Sequence, residues 1–220
     1  FGVPENKIQV IENWAPLDEI EPLSKDNPWS RANGVGETVN IVYSGTLGYK
    51  HNPDLLVRLA ACTDANVMVF SEGKVASHLA EVVKADGLKN LIVRPWVDFS
   101  DLPSVLASAD ILVALIEPDA GVFSVPSKVL TYSCIGRPIL GSMPKANLAS
   151  RILNREGAGL VAEPHDPDAF VANAKRLLAD ADLRGQMGRN ARAYAERAFD
   201  INVLADRFED ALAKAHAARV

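Results

Sequence analysis

The stretch Val125-Pro126-Ser127-Lys128-Val129-Leu130-Thr131-Tyr132, followed closely by Gly136-Arg137-Pro138-Ile139-Leu140, decides how this chain is read. A Ser-Lys step opens a short apolar helix after a Gly-containing loop, and a Gly-Arg-Pro turn then leads into an apolar strand. In an α/β domain, that order presents the free N–H groups of a helix N-terminus and one cation to a phosphate. Pro126 and Ser127 can equally start and cap a buried helix for local reasons, with Lys128 solvated in the first turn. The elements on either side favour the phosphate reading.

Upstream and downstream, apolar strand segments alternate with helical periodicity. Strands are expected at 40–44, 66–70, 91–93, 111–116, 138–140 and 159–161, and helices at 53–61, 75–85, 102–108, 127–135 and 148–155. The strand segments are nearly continuous in apolar residues, as strands covered on both faces are. Strict alternation implies right-handed crossovers, hence a Rossmann-like, doubly wound parallel α/β sheet of about six strands. Ligands of such sheets bind outside the carboxyl ends of the strands.

Helix alone follows the last strand, over 168–178, 183–197 and 201–218. In the last segment Leu204, Phe208, Ala211, Leu212 and Ala215 are spaced for one apolar face. The first 38 residues contain one candidate strand, 8–11, after which Pro16, Pro22, Pro28, Gly34 and Gly36 give an extended connector. The expected division is a connector over 1–38, a ligand-binding domain over 39–198 and a C-terminal amphipathic helix over 199–220.

Composition narrows the function. With 220 residues the chain can bury one substantial core, and a net charge of −5 without a basic run argues against nucleic acid as a partner. Cys62 and Cys134 fall in apolar helical patterns, where thiols act as small core residues. No apolar run is long enough to span a bilayer, and Phe at position 1 reads as a piece of a longer chain. His78, His165 and His216 have no companion at metal-ligand spacing. Asp180-Ala181-Asp182 has the spacing of a metal-nucleotide pair, but it lies between two helices, where Asp is a common N-cap.

Four loops follow four strand ends. In the first, Gly45-Thr46-Leu47-Gly48-Tyr49-Lys50-His51, the glycines let backbone approach a ligand, and Lys50 suits a diphosphate. Ser71-Glu72-Gly73-Lys74 is a small turn, read either as a ligand contact or as a plain connection. Arg94-Pro95-Trp96-Val97-Asp98 could set an indole beside a nucleobase or at the edge of the core. The loop from Glu117 to Val125 offers Glu117 and Asp119 to sugar hydroxyls and runs into Ser127 and Lys128.

In this order, the features resemble the carboxyl-terminal half of a retaining GT-B glycosyltransferase of family 4, or group 1. The resemblance covers residues 1 to about 208. It is carried by Lys7-Ile8-Gln9-Val10-Ile11-Glu12-Asn13-Trp14, Tyr43-Ser44-Gly45-Thr46-Leu47-Gly48, Asp101-Leu102-Pro103 through Ala109-Asp110-Ile111, Pro126-Ser127-Lys128, Gly136-Arg137-Pro138 and Glu156-Gly157-Ala158-Gly159. The helical stretch from Leu177-Leu178-Ala179-Asp180 to Arg192 completes it. The Pro-Ser-Lys and Gly-Arg-Pro variants are similar to a branch found in bacterial capsule, exopolysaccharide and O-antigen clusters.

The resemblance implies a domain that binds a nucleotide diphosphate sugar, with no cofactor and no metal. A separate N-terminal domain would bind a glycan or lipid-linked acceptor, and the last helix would cross back to it. The implied location is cytoplasmic, with peripheral contact to the inner membrane through that other domain. Donor contacts fall on Gly45, Thr46, Leu47, Ser71, Gly73, Trp96, Val97, Glu117, Phe123, Ser124, Pro126, Ser127 and Thr131, with Lys50 and Lys128 as the catalytic cations that stabilise the leaving diphosphate.

Two departures stand out. Counting back from Gly136, the family's Glu-x7-Glu positions fall on Phe123 and Thr131, and Thr131 cannot accept the bidentate ribose pair that a carboxylate accepts. The family's Arg after the first-strand Gly is Thr46 here. Alternatives are a non-catalytic nucleotide-sugar binding module and a GT-B-like nucleotide-sugar epimerase, although no acid-base set for the latter stands out.

Overall fold

The computed structural model describes residues 2–116, 118–120 and 127–217. The near-continuous apolar runs form β1 (Asn40–Ser44), β2 (Asn66–Phe70), β3 (Leu91–Arg94), β4 (Ile111–Leu115), β5 (Ile139–Ser142) and β6 (Gly159–Ala162). All pair in parallel, in the order β3-β2-β1-β4-β5-β6.

The crossovers carry α2 (Asp54–Cys62), α3 (Lys74–Asp86), α4 (Leu102–Ala107), α5 (Ser127–Ile135) and α6 (Leu148–Glu156). After β6 come α7 (Pro167–Ala179), α8 (Ala181–Ala198) and α9 (Ile201–Ala217). The sheet is buried on both faces, which explains why its strands are apolar without alternation. Val42, Leu112 and Ile139 face α4, α5, α6 and α8, while Ile41, Tyr43 and Val113 face α2, α3 and α7.

Helix ends carry local signals. Asn147, Asp166 and Asp180 cap α6, α7 and α8 by accepting from backbone N–H groups two or three residues on, at 2.8–2.9 Å. Asp180 is therefore the N-cap that the helix junction implied. Its replacement by Ala is expected to cost about 1 kcal/mol, read as a small drop in melting temperature without loss of fold.

Four sequence expectations are corrected. No strand forms at 8–11: this segment lies extended against α9, where Arg207 Nη2 donates to the Val10 carbonyl at 3.1 Å and Trp14 meets Phe208 edge-on at 6.1 Å. The connector also contains a helix, α1 (Pro28–Ala32). Asn27 and Ser30 cap it reciprocally, and Asn27 Nδ2 donates to the Ser104 carbonyl of α4 at 3.0 Å. Cys62 is exposed at the end of α2, whereas Cys134 is buried. In α9 only Leu204 is buried among the described residues, and Phe208 and Leu212 are exposed.

At the amino edge of the sheet, three arginines close three helix ends. Arg137 Nη2 donates to Ala107 of α4 at 2.8 Å, Arg184 Nη1 to Leu177 of α7 at 2.7 Å, and Arg192 Nη1 to Cys134 of α5 at 2.8 Å. Cations placed there offset the negative ends of the helix dipoles and satisfy orphan carbonyls. Arg137 and Arg192 also donate to Leu23 and Ile20, which ties the connector to the domain.

Candidate active site

The chain leaves β1 toward β2 and β3 on one side and returns to β4, β5 and β6 on the other, so the strand order reverses between β1 and β4. A crevice opens at the carboxyl edge at such a point. It is present here as a cleft of about 440 Å³. Its walls are the β1 loop (Ser44, Gly45, Thr46), His51, the end of β4 (Leu115, Ile116), Leu102 and Leu106 of α4, and Ser127, Lys128, Thr131 and Tyr132 of α5.

Each wall has a local cause. Gly45 takes a φ of 122°, open to glycine and rarely to other residues, and its bare α-carbon faces the Lys128 side chain: a Cβ there would stand 3.6 Å from Lys128 Cε and Nζ. Tyr132, wholly buried from α5, sets the loop from below. The Ser44 N–H donates to Tyr132 Oη at 3.0 Å, and the same hydroxyl lies 3.2 Å from the Ser44 carbonyl. His51 Nδ1 accepts from the Gly48 N–H at 2.9 Å and closes a 3-10 turn, Tyr49–His51, that also contains the Lys50 backbone. The first N–H groups of α5 have no partner within the helix and lie at the cleft with Ser127.

Lys128 is not the solvated first-turn lysine that the sequence allowed. Its side chain folds inward and is half-buried, with Nζ donating to Tyr43 Oη at 2.5 Å and lying 3.8 Å from the Tyr43 ring centroid. Burial lowers its pKa to about 7 from the ordinary 10.5. The ring face favours the cation by roughly 0.5–2 kcal/mol, and desolvation outweighs it. No carboxylate lines the cleft among the described residues.

Of the residues expected at the site, Gly45, Thr46, Ser127, Lys128 and Thr131 meet at this cleft. Thr131 Oγ1 donates to the Ser127 carbonyl at 3.4 Å, within its own helix. Leu47 turns its side chain into the core, leaving only its backbone beside the loop. Ser71 is buried at the end of β2, and Gly73 precedes α3 with a φ of 97°, both outside the cleft walls. Trp96 is half-exposed after β3, and Val97 packs against the core; neither lines the cleft. Asp119 is exposed in a 3-10 turn, Pro118–Ala120. Glu117, Phe123, Ser124 and Pro126 lie outside the described residues.

Sequence reasoning missed Tyr43, Tyr132 and His51. A buried ring with its hydroxyl at a strand end was the available signal.

A larger cleft, about 560 Å³, opens at the amino edge among Lys25, Asp110, Arg137, Arg184, Arg192 and Glu196. Its cations are bound to the chain's own carbonyls and acids, including Lys25 to Asp110 at 2.6 Å. It therefore reads as the structural closure of helix ends. Among the described residues no group of three or more His, Cys, Asp or Glu could hold a metal ion, and no helix is long and apolar enough to cross a membrane.

The fold and cleft define a Rossmann-like α/β domain whose ligand edge joins a Gly loop, a helix N-terminus and a lysine. The family model for group 1 glycosyl transferases matches residues 38–180, and the chain belongs to that family. WcaI of Escherichia coli, provisionally named as a colanic acid biosynthesis glycosyl transferase, is 23% identical over 206 residues, covering 90% of this chain and 50% of its own length. The D-inositol 3-phosphate glycosyltransferase of Salinispora tropica is 26% identical, covering 89% of this chain and 44% of its own. The chain thus spans about half the length of the curated relatives it matches.

Among solved structures, Anabaena HepE in complex with UDP-glucose superposes with a TM-score of 0.78 at 15% identity, covering 94% of this chain and 57% of that one. The C-terminal domain of the Francisella tularensis group 1 family protein LpcC is covered to 99% of its length and superposes over 85% of this chain with a TM-score of 0.65 at 16% identity. The fold is that of the carboxyl-terminal half of a GT-B glycosyltransferase.

Proposed function

We propose that this chain is the donor-binding half of a retaining glycosyltransferase that moves a sugar from a nucleotide diphosphate sugar to a glycan or lipid-linked acceptor in cell-surface polysaccharide biosynthesis. The observation that carries the reading is the meeting of the Gly45 loop, the N-terminus of α5 and Lys128 at the switch point between β1 and β4. WcaI's name supports the pathway, and the UDP-glucose bound to HepE supports the ligand class. Retention of configuration rests on the family resemblance.

In this reading the diphosphate lies across the β1 loop and the start of α5. The α5 N–H groups and Lys128 stabilise the charge that develops on the leaving group, with Lys50 as a second cation. Such donors act without a metal or other cofactor. The acceptor site belongs to an upstream half, which would also provide any peripheral contact with the cytoplasmic face of the inner membrane.

Thr131 favours a second reading. Its hydroxyl is held by its own helix, where the family has a ribose-binding carboxylate, and this suits a module that binds nucleotide sugars without transferring them.

The isolated chain is expected to bind a nucleoside diphosphate weakly and to transfer no sugar, with affinity unchanged by EDTA. Calorimetry and product analysis check this. Transfer by the isolated chain would overturn the two-half reading, and binding that EDTA abolishes and manganese restores would overturn the metal-free one. Transfer by the chain joined to its upstream half, set against none, separates the transferase from the binding module.

A further inference from the structure

We propose that Tyr43 is the positioning residue for Lys128: its ring and hydroxyl hold the lysine nitrogen in the wall of the cleft, ready for the diphosphate. This rests on the reading of the cleft as a diphosphate site. It adds a residue outside the cleft walls and a proton to the binding step.

The argument begins with an apparent waste. Tyr43 is wholly buried in β1 among the apolar residues that face α2, α3 and α7, where a Phe would fill the same volume. Its hydroxyl, however, is used twice. It donates to the Thr46 carbonyl at 2.6 Å, so its remaining capacity is to accept, and it accepts from Lys128 Nζ at 2.5 Å. One oxygen therefore ties the β1 loop and the α5 lysine into a single unit. The ring lies beneath the same nitrogen at 3.8 Å, and Gly45 runs alongside, where a Cβ would be in ordinary contact with Nζ at 3.6 Å.

What faces Lys128 decides its charge. From β1 it meets Tyr43; Tyr132 stands on α5, and His51 lines the cleft from the 3-10 turn. The described lining contains no carboxylate. Burial raises the Tyr43 and Tyr132 pKa values well beyond the ordinary range, so neither phenol supplies an anion. Burial, with no carboxylate in the described lining as counter-charge, leaves the ammonium loosely held, with a pKa of about 7.

A diphosphate supplies that counter-charge and raises the lysine's pKa. Affinity should then be flat below pH 7 and fall about tenfold per unit above it until the bound-state value is reached. At pH 8 a fully ionised nucleoside diphosphate should draw in about 0.9 proton per site, from a free-state value of about 7.

The test combines UDP, GDP and ADP titrations at pH 6.5 to 9 with a double-mutant cycle of Tyr43→Phe and Lys128→Met. Calorimetry in two buffers of different ionisation enthalpy reads the proton uptake. Tyr43→Phe keeps the ring and removes the acceptor, so affinity at pH 7 should fall about five- to tenfold and the pH midpoint should move down. In the Lys128→Met background it should cost at most the loop contribution, with no pH midpoint left to move.

An equal loss with and without Lys128, together with an unmoved midpoint, would assign Tyr43 to the loop alone and overturn the proposal. If no nucleotide binds, the donor-site reading fails. The Tyr43–Lys128 coupling is then read directly from the NMR titration of Lys128 Cε in both proteins. A midpoint shared by wild type and Tyr43→Phe would overturn it there.

Discussion

Replacing Lys128 with alanine is expected to weaken nucleoside diphosphate binding ten- to a hundredfold, because a charge-assisted contact of about 1.5 to 3 kcal/mol is lost from the cleft. The fold should survive. The lysine's head group packs on the Tyr43 ring beside Gly45, while the neighbouring Val129 and Leu130 hold α5 in the core. A solvated lysine would give no change in affinity, and a collapse in melting temperature would assign Lys128 a structural role.

The same replacement has a pH signature in stability. In the folded chain Lys128 titrates near 7, whereas in the unfolded chain it titrates at its ordinary 10.5. Between these values the unfolded state binds more protons, so this group makes stability rise with pH across that window. Below about pH 7 the cost of holding the charged form is present in full. The difference between wild-type and Lys128→Ala melting temperatures, measured from pH 6.5 to 10, should therefore shift in favour of wild type as pH rises. A difference independent of pH would contradict the burial of this amine.

Gly188→Ala should destabilise the chain severely. In α8 a Cβ at position 188 would stand 2.4 Å from the Gly136 carbonyl oxygen and 3.2 Å from its carbon, and both are backbone atoms that cannot rotate away. The helix must lift from the Gly136 turn. That would disturb the buried contacts of Ala191 and Ala195 and the Arg192 bond to Cys134. Overpacking of this kind costs about 3 kcal/mol, equivalent to about 6–12 °C in melting temperature for a chain of this size. Gly185→Ala is the control, because its Cβ would meet only the flexible end of Arg189 at 3.3 Å, and it should be close to neutral. Equal effects for the two would show that α8 does not seat on the turn.

The sheet was legible because both of its faces are covered. Segments such as Asn66–Phe70 and Ile111–Leu115 are apolar at nearly every position, and the helices between them keep a regular apolar face. The connector was less legible. Residues 8–11 have strand-like composition, but their neighbour in space is α9, and a β ladder needs a second extended strand to pair with. The α1 cap uses Ser30, where a Glu or Gln would have been the familiar signal.

At the site, the backbone positions were readable because they follow strand ends. The partners were not. Tyr43 looks like any core aromatic until its hydroxyl is seen between Thr46 and Lys128, and Leu47 looks like a loop residue until its side chain is seen in the core. The lowered pKa of Lys128 comes from its burial against Tyr43, a fact of three dimensions that no spacing in the sequence encodes.

The most direct test of the account maps the backbone amides of the isolated chain by NMR during titration with UDP, GDP, ADP, CDP and dTDP, each against its nucleoside. The account predicts that at least one diphosphate shifts the amides of 44–46 and 127–131 together, far more than the nucleoside does. No shift with any of the five, or shifts confined to the arginine cleft around Arg137 and Arg184, would contradict the claim that the switch-point crevice is a nucleotide-sugar site.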